Sequence, residues 1–141
     1  MVTRADRVTT GKKQQDIYYS DFLNNLNRHP QTGLLNRTLN ENSVGQSIKN
    51  LIFTNVGERF FQPTIGGNIK RILFEPMNGF TADALKKEIT QTLFNNEPRL
   101  SQFQVIVQAD EPSNSYRVKI IYAIKTIQDT STLDITLKRV R

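Results

Sequence analysis

Few residues in this chain could carry out covalent or metal chemistry. The 141-residue sequence has no cysteine, which excludes a thiolate nucleophile or thiolate metal site, and its single histidine, His29, lies in a polar stretch beside Pro30. A sugar hydrolase would need two carboxylates facing one cleft, and the spacing of the acidic residues selects no such pair. The candidates include Glu58, Glu75, Glu88 and Glu97. The sequence therefore favours a binding or assembly protein, with no catalytic residue, metal or cofactor predicted.

Two residues of opposite charge, Glu97 and Arg99, lie on either side of a proline in the tripeptide Glu97-Pro98-Arg99. Pro98 ends a helix, since it lacks an N–H and disfavours helical angles at the residue before it. Side chains two residues apart in an extended segment point to the same side, so Glu97 and Arg99 are expected to project together. The residues leave two interpretations open: a solvated turn with two surface charges, which is the commoner case, or a paired and partly buried anchor.

A helix over residues 81–96 is predicted to lead into this tripeptide. Its apolar residues recur at helical spacing and should form one stripe toward the core. The stripe contains Leu85, Ile89 and Leu93, with Phe94 as a further candidate. Both ends carry residues with the chemistry of helix termini. They are Thr81 as the N-cap, Asp83 in the first turn, Phe80 packing on Leu85, and Asn95 or Asn96 as a left-handed C-cap.

Two further helices are predicted upstream. The first runs from Ser43 to about Asn55, because Ser43 and the glutamine three residues later have the spacing of a capping box. Its core face consists of Val44, Ile48, Leu51 and Ile52. The second is short and lies within residues 68–75, where the apolar residues are Ile69, Ile72, Leu73 and Phe74. Between the two helices, the pair Gly66-Gly67 predicts a tight turn or a close approach of two backbones.

The last forty residues alternate apolar and polar side chains, which is typical of strands with one buried face. Turns at residues 111–114 and 128–130 would divide them into a three-stranded antiparallel meander. The inward residues of the first two strands are Phe103, Val105, Val107, Ala109, Tyr116, Val118, Ile120, Tyr122 and Ile124. The last strand contributes Leu133, Ile135 and Leu137.

That last strand is predicted to form an edge of the sheet. No proline guards it, and an unpaired edge can accept a strand from another chain. The alternative is an ordinary edge protected by the basic residues Lys138, Arg139 and Arg141. The residues alone favour the ordinary edge.

Together these elements predict an α+β fold with an N-terminal extension and two to three helices packed on a C-terminal three-stranded antiparallel sheet. Residues 1–40 are expected to form an extended arm, with loop over residues 24–40, and residues 41–141 a single domain. The arm carries an apolar patch, which would either pack on the domain or dock onto a neighbouring protein. The patch consists of Tyr18, Tyr19, Phe22 and Leu23.

Composition excludes several other classes of function. The formal net charge of +6 is spread along the chain without a dense basic run, and this distribution disfavours nucleic-acid binding. An acidic protein partner would explain a modest positive charge as well as nucleic acid would. No apolar segment is long enough to span a membrane or to act as a secretory signal. The protein is therefore expected to remain in the cytoplasm of the cell that makes it.

Residues 47–100 resemble the sheath-initiator family of contractile phage tails and related injection machines, whose members are baseplate wedge proteins. The resemblance rests on several motifs in one order and spacing, which together are fairly specific. They are Ser47-Ile48-Lys49-Asn50-Leu51-Ile52, Gly57-Glu58-Arg59-Phe60-Phe61-Gln62-Pro63 with Gly66, Leu73-Phe74-Glu75, Thr81-Ala82-Asp83 and Glu97-Pro98-Arg99. The likeness continues through the sheet by pattern only and does not cover residues 1–40.

The resemblance implies a structural protein of the virion tail baseplate, in about six copies. Glu97, Pro98 and Arg99 would be the family signature that fixes the subunit on the helical core bundle of the wedge. The edge strand with Leu133, Ile135 and Leu137 would pair with extended arms of the sheath subunits and so template sheath polymerisation by β-augmentation. Tail tube proteins are further candidate neighbours. Some family members carry a lysozyme-like label, which leaves a cell-wall hydrolase as the alternative.

Overall fold

The computed structural model describes residues 16–139. The predictions made for residues 1–15, and for Arg141 as a guard of the sheet edge, lie outside the described residues. In chain order the elements are β1 (Ser20–Phe22), β2 (Arg37–Leu39), α1 (Asn40–Phe53), α2 (Ile69–Ile72), α3 (Gly79–Asn96), β3 (Leu100–Asp110), β4 (Ser115–Ile124) and β5 (Ile127–Lys138). The predicted α+β architecture, with helices preceding a three-stranded sheet, is confirmed.

The three C-terminal strands form an antiparallel sheet in the order β3-β4-β5. Alternation places one face of each strand in the core, because successive side chains of a strand point to opposite faces. The buried residues of this face are Val105, Tyr116, Val118, Ile120, Tyr122, Ile124, Ile135 and Leu137. Phe103, Val107 and Leu133 are partly buried against them. Ala109, which the alternation assigned to the same face, is exposed near the end of β3.

The turn between β4 and β5 lies earlier than predicted. It consists of Lys125 and Thr126, and the polar residues 128–130 belong to β5. A register shift next to Ile124 absorbs the extra residues at the start of β5. Polar composition suggested a turn here, but the ladder with β4 determines the backbone.

Helices α1 and α3 supply the other layer of the core. α1 contacts α3 and β5, and α3 contacts β3. The predicted stripes are confirmed, since the buried apolar residues are Val44, Ile48, Leu51, Ile52, Leu85, Ile89 and Leu93. Phe94 is 75% exposed and Phe74 is 59% exposed, so neither belongs to the core.

The N-terminus of α3 differs from the prediction. The N-cap is Asn78, whose Oδ1 accepts the N–H of Thr81 at 2.8 Å, and the helix begins at Gly79. Phe80 therefore lies within the first turn and is 88% exposed, rather than packed on the stripe. Asp83 lies beyond the first turn. Asn78, which was not among the predicted caps, therefore takes the capping role that was predicted for Thr81.

The C-terminus of α3 also differs from the prediction. The capping residue is Glu97, whose N–H donates to the Leu93 carbonyl at 2.9 Å. Neither Asn95 nor Asn96 adopts the left-handed conformation expected of a C-cap. The helix therefore runs directly into Glu97-Pro98-Arg99 without an intervening turn.

Residues 20–39 form a small hairpin that the sequence did not predict, with β1 antiparallel to β2. Asn40 joins this hairpin to α1: its N–H donates to the Tyr19 carbonyl at 2.7 Å, and its Oδ1 accepts the N–H of Tyr18 at 2.9 Å. α1 accordingly begins at Asn40, and Ser43, the predicted cap, is buried inside the helix. The helix ends at Phe53, two residues before the predicted end.

The glycine pair marks a close approach of two backbones, as predicted. Gly66 has φ +119°, and a Cβ at this position would lie 2.5 Å from the Thr54 carbonyl oxygen. The N–H of Gly67 donates to the same oxygen at 3.1 Å. The segment after α1 is therefore held against the segment before α2.

Gly66→Ala is expected to lower the free energy of unfolding by about 2 kcal/mol, because it combines an unfavourable φ with a steric clash. Urea titration followed by circular dichroism measures the change. Gly79→Ala is the matched control, since open space surrounds Gly79; it should change the free energy by less than about 0.5 kcal/mol. Equal stability of the two variants would contradict the close approach.

Candidate binding surfaces

Glu97 and Arg99 form an ion pair where α3 meets β3. Arg99 donates from Nε to Glu97 Oε1 at 2.6 Å and from Nη2 to Oε2 at 2.7 Å, a two-pronged geometry. Ser47 on α1 donates from its hydroxyl to Oε2 at 2.8 Å. Glu97 is only 4% exposed. Of the two interpretations of this tripeptide, the structure therefore has the paired, partly buried one, and the anchoring role stays a prediction.

Tyr19, which directly precedes the N-terminal hairpin, holds the arginine from its other side. The Arg99 guanidinium lies over the Tyr19 ring, 5.6 Å from its centroid, a cation–π contact. The Tyr19 hydroxyl shares a 2.8 Å hydrogen bond with Thr126 in the turn between β4 and β5. Tyr19 thus packs on the domain, whereas Tyr18 and Phe22 of the same patch are about half exposed.

The electrostatics of this pair favour a structural role. Hydrogen bonding to Glu97 raises the pKa of Arg99 above its ordinary value, although partial burial opposes that shift. Arginine is charged at any working pH, so the Arg99 guanidinium cannot act as a general acid or base. Both carboxylate oxygens of Glu97 already accept donors. The pair therefore fixes the hinge in one geometry and is poorly suited to proton transfer.

A groove of about 380 Å³ lies beside the pair. Its walls come from the tripeptide, from α1 and from the loop between α1 and α2, which contributes Arg59 and Ile65. Residues 55–67 of that loop, called here the aromatic loop, carry Phe60 and Phe61 at 97% and 99% exposure. No sequence rule distinguished these two phenylalanines from core residues.

The aromatic loop is held by its own hydrogen bonds. The N–H of Gly57 donates to the Pro63 carbonyl at 2.8 Å, and the N–H of Asn55 donates to Glu58 Oε2 at 2.8 Å. The Asn55 N–H, and then the charge of Lys70, keep the pKa of Glu58 below its ordinary value. Two large apolar side chains are therefore presented to solvent on a preorganised loop.

The outer edge of β5 is the second candidate surface. Within residues 16–139, β5 pairs only with β4. The Arg139 N–H donates to the Asn114 carbonyl at 3.1 Å, one step beyond the pairing of Ser115 with Lys138. Because hydrogen-bonded and non-bonded pairs alternate in an antiparallel ladder, every second residue of β5 counted back from Arg139 points its N–H and C=O groups toward β4. The residues between them point these groups outward, away from β4. The outward groups belong to Thr130, Thr132, Asp134, Thr136 and Lys138.

The three residues predicted for this edge, Leu133, Ile135 and Leu137, turn their side chains inward. Ile135 and Leu137 are buried, and Leu133 packs against the core with part of its surface exposed. What β5 presents to a neighbour is therefore mainly the backbone of the intervening residues. β3, on the other side of the sheet, likewise pairs only with β4 among the described strands.

Other kinds of site find little support in the described part of the chain. Within residues 16–139 no three His, Asp or Glu side chains cluster as metal ligands would. His29 belongs to a turn, where its N–H donates to the Leu34 carbonyl at 2.7 Å and its Nδ1 accepts the Gln31 N–H. No helix in the described range has both the length and the apolar character needed to cross a bilayer.

Comparison with known proteins gives one family. The family model described as baseplate wedge protein gp25 matches residues 39–129. The baseplate wedge protein gp25 of Enterobacteria phage T4 is 34% identical over 73 residues, a match that covers 52% of this chain. The matched region spans 55% of the T4 protein's length.

Two solved structures share the fold. A Geobacter sulfurreducens protein provisionally assigned as a tail lysozyme has a TM-score of 0.64 at 22% identity and covers 70% of this chain and 89% of its own. A chain of the anti-feeding prophage baseplate has a TM-score of 0.58 at 20% identity and covers 87% of both chains. At these identities the likeness concerns the fold alone.

Proposed function

Because the chain belongs to the family of baseplate wedge protein gp25, we propose that it initiates sheath assembly on the baseplate of a contractile tail. It is a structural wedge component of such a baseplate. In this proposal the tail sheath subunit binds the outer edge of β5, and the helical core bundle of the wedge binds the surface around Glu97, Pro98 and Arg99. Tail tube proteins are further candidate neighbours.

The outward backbone groups of β5 carry the proposal for the sheath. An extended arm laid along this edge would form main-chain hydrogen bonds at Thr132, Asp134 and Thr136, and its alternate side chains would set the register. A ladder of several bonds distributes load, which suits a protein that must hold a sheath while the sheath contracts. The polar outward side chains keep the edge soluble until the arm arrives.

The aromatic loop supports the proposal for the wedge. Phe60 and Phe61 lie on the same loop as Arg59, which lines the groove beside Pro98 and Arg99. Large aromatic side chains dominate binding energy when they enter a partner's pocket, and exposed apolar patches often mark interfaces. The groove and the aromatic loop together would form one docking surface, held rigid by the buried ion pair behind it.

Replacing Phe60 and Phe61 together by serine is expected to weaken binding to purified wedge proteins at least about tenfold, since the pair would fill a pocket on the partner. The free energy of unfolding should stay within about 0.5 kcal/mol of wild type, because both side chains are solvent-exposed. Phe80→Ser, a change at another exposed phenylalanine, is the control and should bind normally. Normal binding by the double variant would remove the aromatic loop from the wedge surface.

A reconstitution assay tests the proposed function as a whole. Baseplates assembled with and without this protein are mixed with purified sheath subunit and tube, and sheath length is measured by electron microscopy. The proposal predicts sheaths that start at the baseplate only when the protein is present. Sheaths of normal length and origin on baseplates that lack it would overturn the proposal.

A cell-wall hydrolase is the second candidate function because the Geobacter sulfurreducens protein that shares this fold is provisionally assigned as a tail lysozyme. Among residues 16–139 Glu97 is the single buried carboxylate, and both of its oxygens are engaged. A hydrolase needs one carboxyl group protonated and a second one facing the same cleft. Incubating the purified protein with peptidoglycan should release no soluble fragments, and release would support the hydrolase.

A further inference from the structure

A second groove, of about 400 Å³, lies between α1 and the outer edge of β5. One wall is α1, through Glu41, Gly45 and Lys49, and a second is β5, through Thr132 and Leu133. Residues 23–25, which follow β1, also line the groove. The groove is therefore next to the backbone groups at which an added strand would pair. No sequence motif pointed to it.

The wall formed by α1 has a definite order of side chains. Glu41, Gly45 and Lys49 are four residues apart and so share one helical face, with an acid and a base on either side of a glycine. The helix also lies close to the sheet: the Tyr122 hydroxyl donates to the Glu41 carbonyl at 3.3 Å, and a Cβ on Gly45 would lie 2.9 Å from that hydroxyl. α1 therefore borders the space beside β5.

A row of core-facing side chains crosses the sheet and ends at Leu133, which lines this groove. In the β4–β5 register Ile120 lies opposite Leu133. Ile120 is fully buried, whereas Leu133 packs on the core but keeps part of its surface exposed. A strand added at a spacing of about 4.8 Å would place its own core-facing side chain beside Leu133. An apolar side chain at that position would complete the row.

Lys49 faces the same space. It is exposed, and no carboxylate of the described residues lies within ion-pair distance of it. Along α1 it lies one turn, about 6 Å, beyond Gly45. Lys49 lines the same groove as Leu133, so it faces the space that the side chains of an added strand would enter. A carboxylate in that space would match the lysine in sign.

We propose that this groove seats the core-facing side chains of the added strand, and that Lys49 selects an arm bearing an acidic residue close to an apolar one. The inference rests on the strand addition proposed above and gives it a chemical specificity. Backbone pairing accepts almost any sequence, whereas the groove would discriminate among arms by charge and by apolar fit. The sheath subunit's arm should carry this pattern on one face.

The test measures binding of purified sheath subunit to the full chain carrying Lys49→Glu. Affinity is expected to fall about tenfold at low salt and less at high salt, because like charges would now oppose each other. Lys87→Glu, the same change on an exposed part of α3, should bind like wild type. Thermal unfolding of both variants verifies that the fold is unchanged. Lysine in place of the acidic residue of the arm should restore binding to Lys49→Glu.

The outcomes separate this inference from the function on which it rests. If Lys49→Glu binds sheath subunit like wild type while a variant with a blocked β5 edge does not, strand addition stands and the groove has no selective role. If the wild-type protein itself does not bind sheath subunit, both proposals are overturned. Failure of the charge-swapped arm to recover binding would also contradict a direct contact with Lys49.

Discussion

Replacing Thr132 and Thr136 together by proline is expected to reduce sheath binding about a hundredfold while the fold stays intact. The N–H groups of both residues point away from β4, so proline removes no bond within the sheet, and edge strands tolerate it. An added strand would lose two hydrogen bonds, each contributing about 1 kcal/mol or more, and would also meet the proline rings. Binding to immobilised sheath subunit measures the effect.

Valine at the same two positions is the matched control. It changes the side chains in a similar way but keeps both N–H donors, so sheath binding should remain near wild type. Near-ultraviolet circular dichroism and thermal unfolding must show that the proline variant is folded. Substitution is preferable to deletion of residues 131–141, since β5 also supplies the buried Ile135 and Leu137. Full binding by the folded proline variant would exclude pairing at this edge.

Arg99→Ala is expected to lower the free energy of unfolding by about 3 kcal/mol. The substitution would leave the Glu97 carboxylate, which is 4% exposed, with Ser47 as its remaining side-chain donor. Removing one member of a buried pair costs about 3–5 kcal/mol, and the lower figure applies because the Arg99 side chain is 30% exposed. The cation–π contact with Tyr19 would be lost as well. Urea denaturation provides the measurement.

The chain contains a more exposed pair with the same charges, Arg117 and Asp110. Arg117 donates to Asp110 Oδ2 at 2.6 Å, a distance like that of the buried pair, but its side chain is 71% exposed. Arg117→Ala should therefore change the free energy of unfolding by less than about 1 kcal/mol. A similar loss in the two variants would mean that burial of Glu97 adds nothing, and the case for a structural anchor at the hinge would be lost.

The sequence predicted the elements whose patterns are governed by burial. Alternation located the sheet and its inward residues, and helical spacing located the stripes of α1 and α3, because both patterns follow directly from the geometry of side chains around a core. Glu97 and Arg99 were also expected to project together, and they do, but the tripeptide is not extended: Pro98 and Arg99 form a turn in which the Leu100 N–H donates to the Glu97 carbonyl at 3.3 Å. For the sheet and the two stripes, a local rule and the tertiary structure require the same arrangement.

The sequence-based predictions were wrong where tertiary contacts decide between two structures that the local sequence allows equally. Asn78 and Thr81 could each cap α3, and Thr81 is buried while Asn78 provides the cap. The β1–β2 hairpin depends on Asn40, whose backbone and side chain bind the chain about twenty residues earlier. Composition predicted loop there because its signals are local. Phe60 and Phe61 belong to a motif of the family resemblance but were not predicted to be exposed, since hydrophobicity alone does not distinguish an interface from a core.

The measurement that tests strand addition most directly is amide hydrogen exchange of the protein, resolved by residue, with and without sheath subunit. Strand addition at β5 predicts that the N–H groups of Thr132, Asp134 and Thr136 exchange quickly in the free protein and become protected in the complex. The N–H groups of Leu133 and Ile135, already bonded to β4, should change little. Protection at the outer edge of β3, or a complex without new protection in β5, would contradict strand addition at this edge.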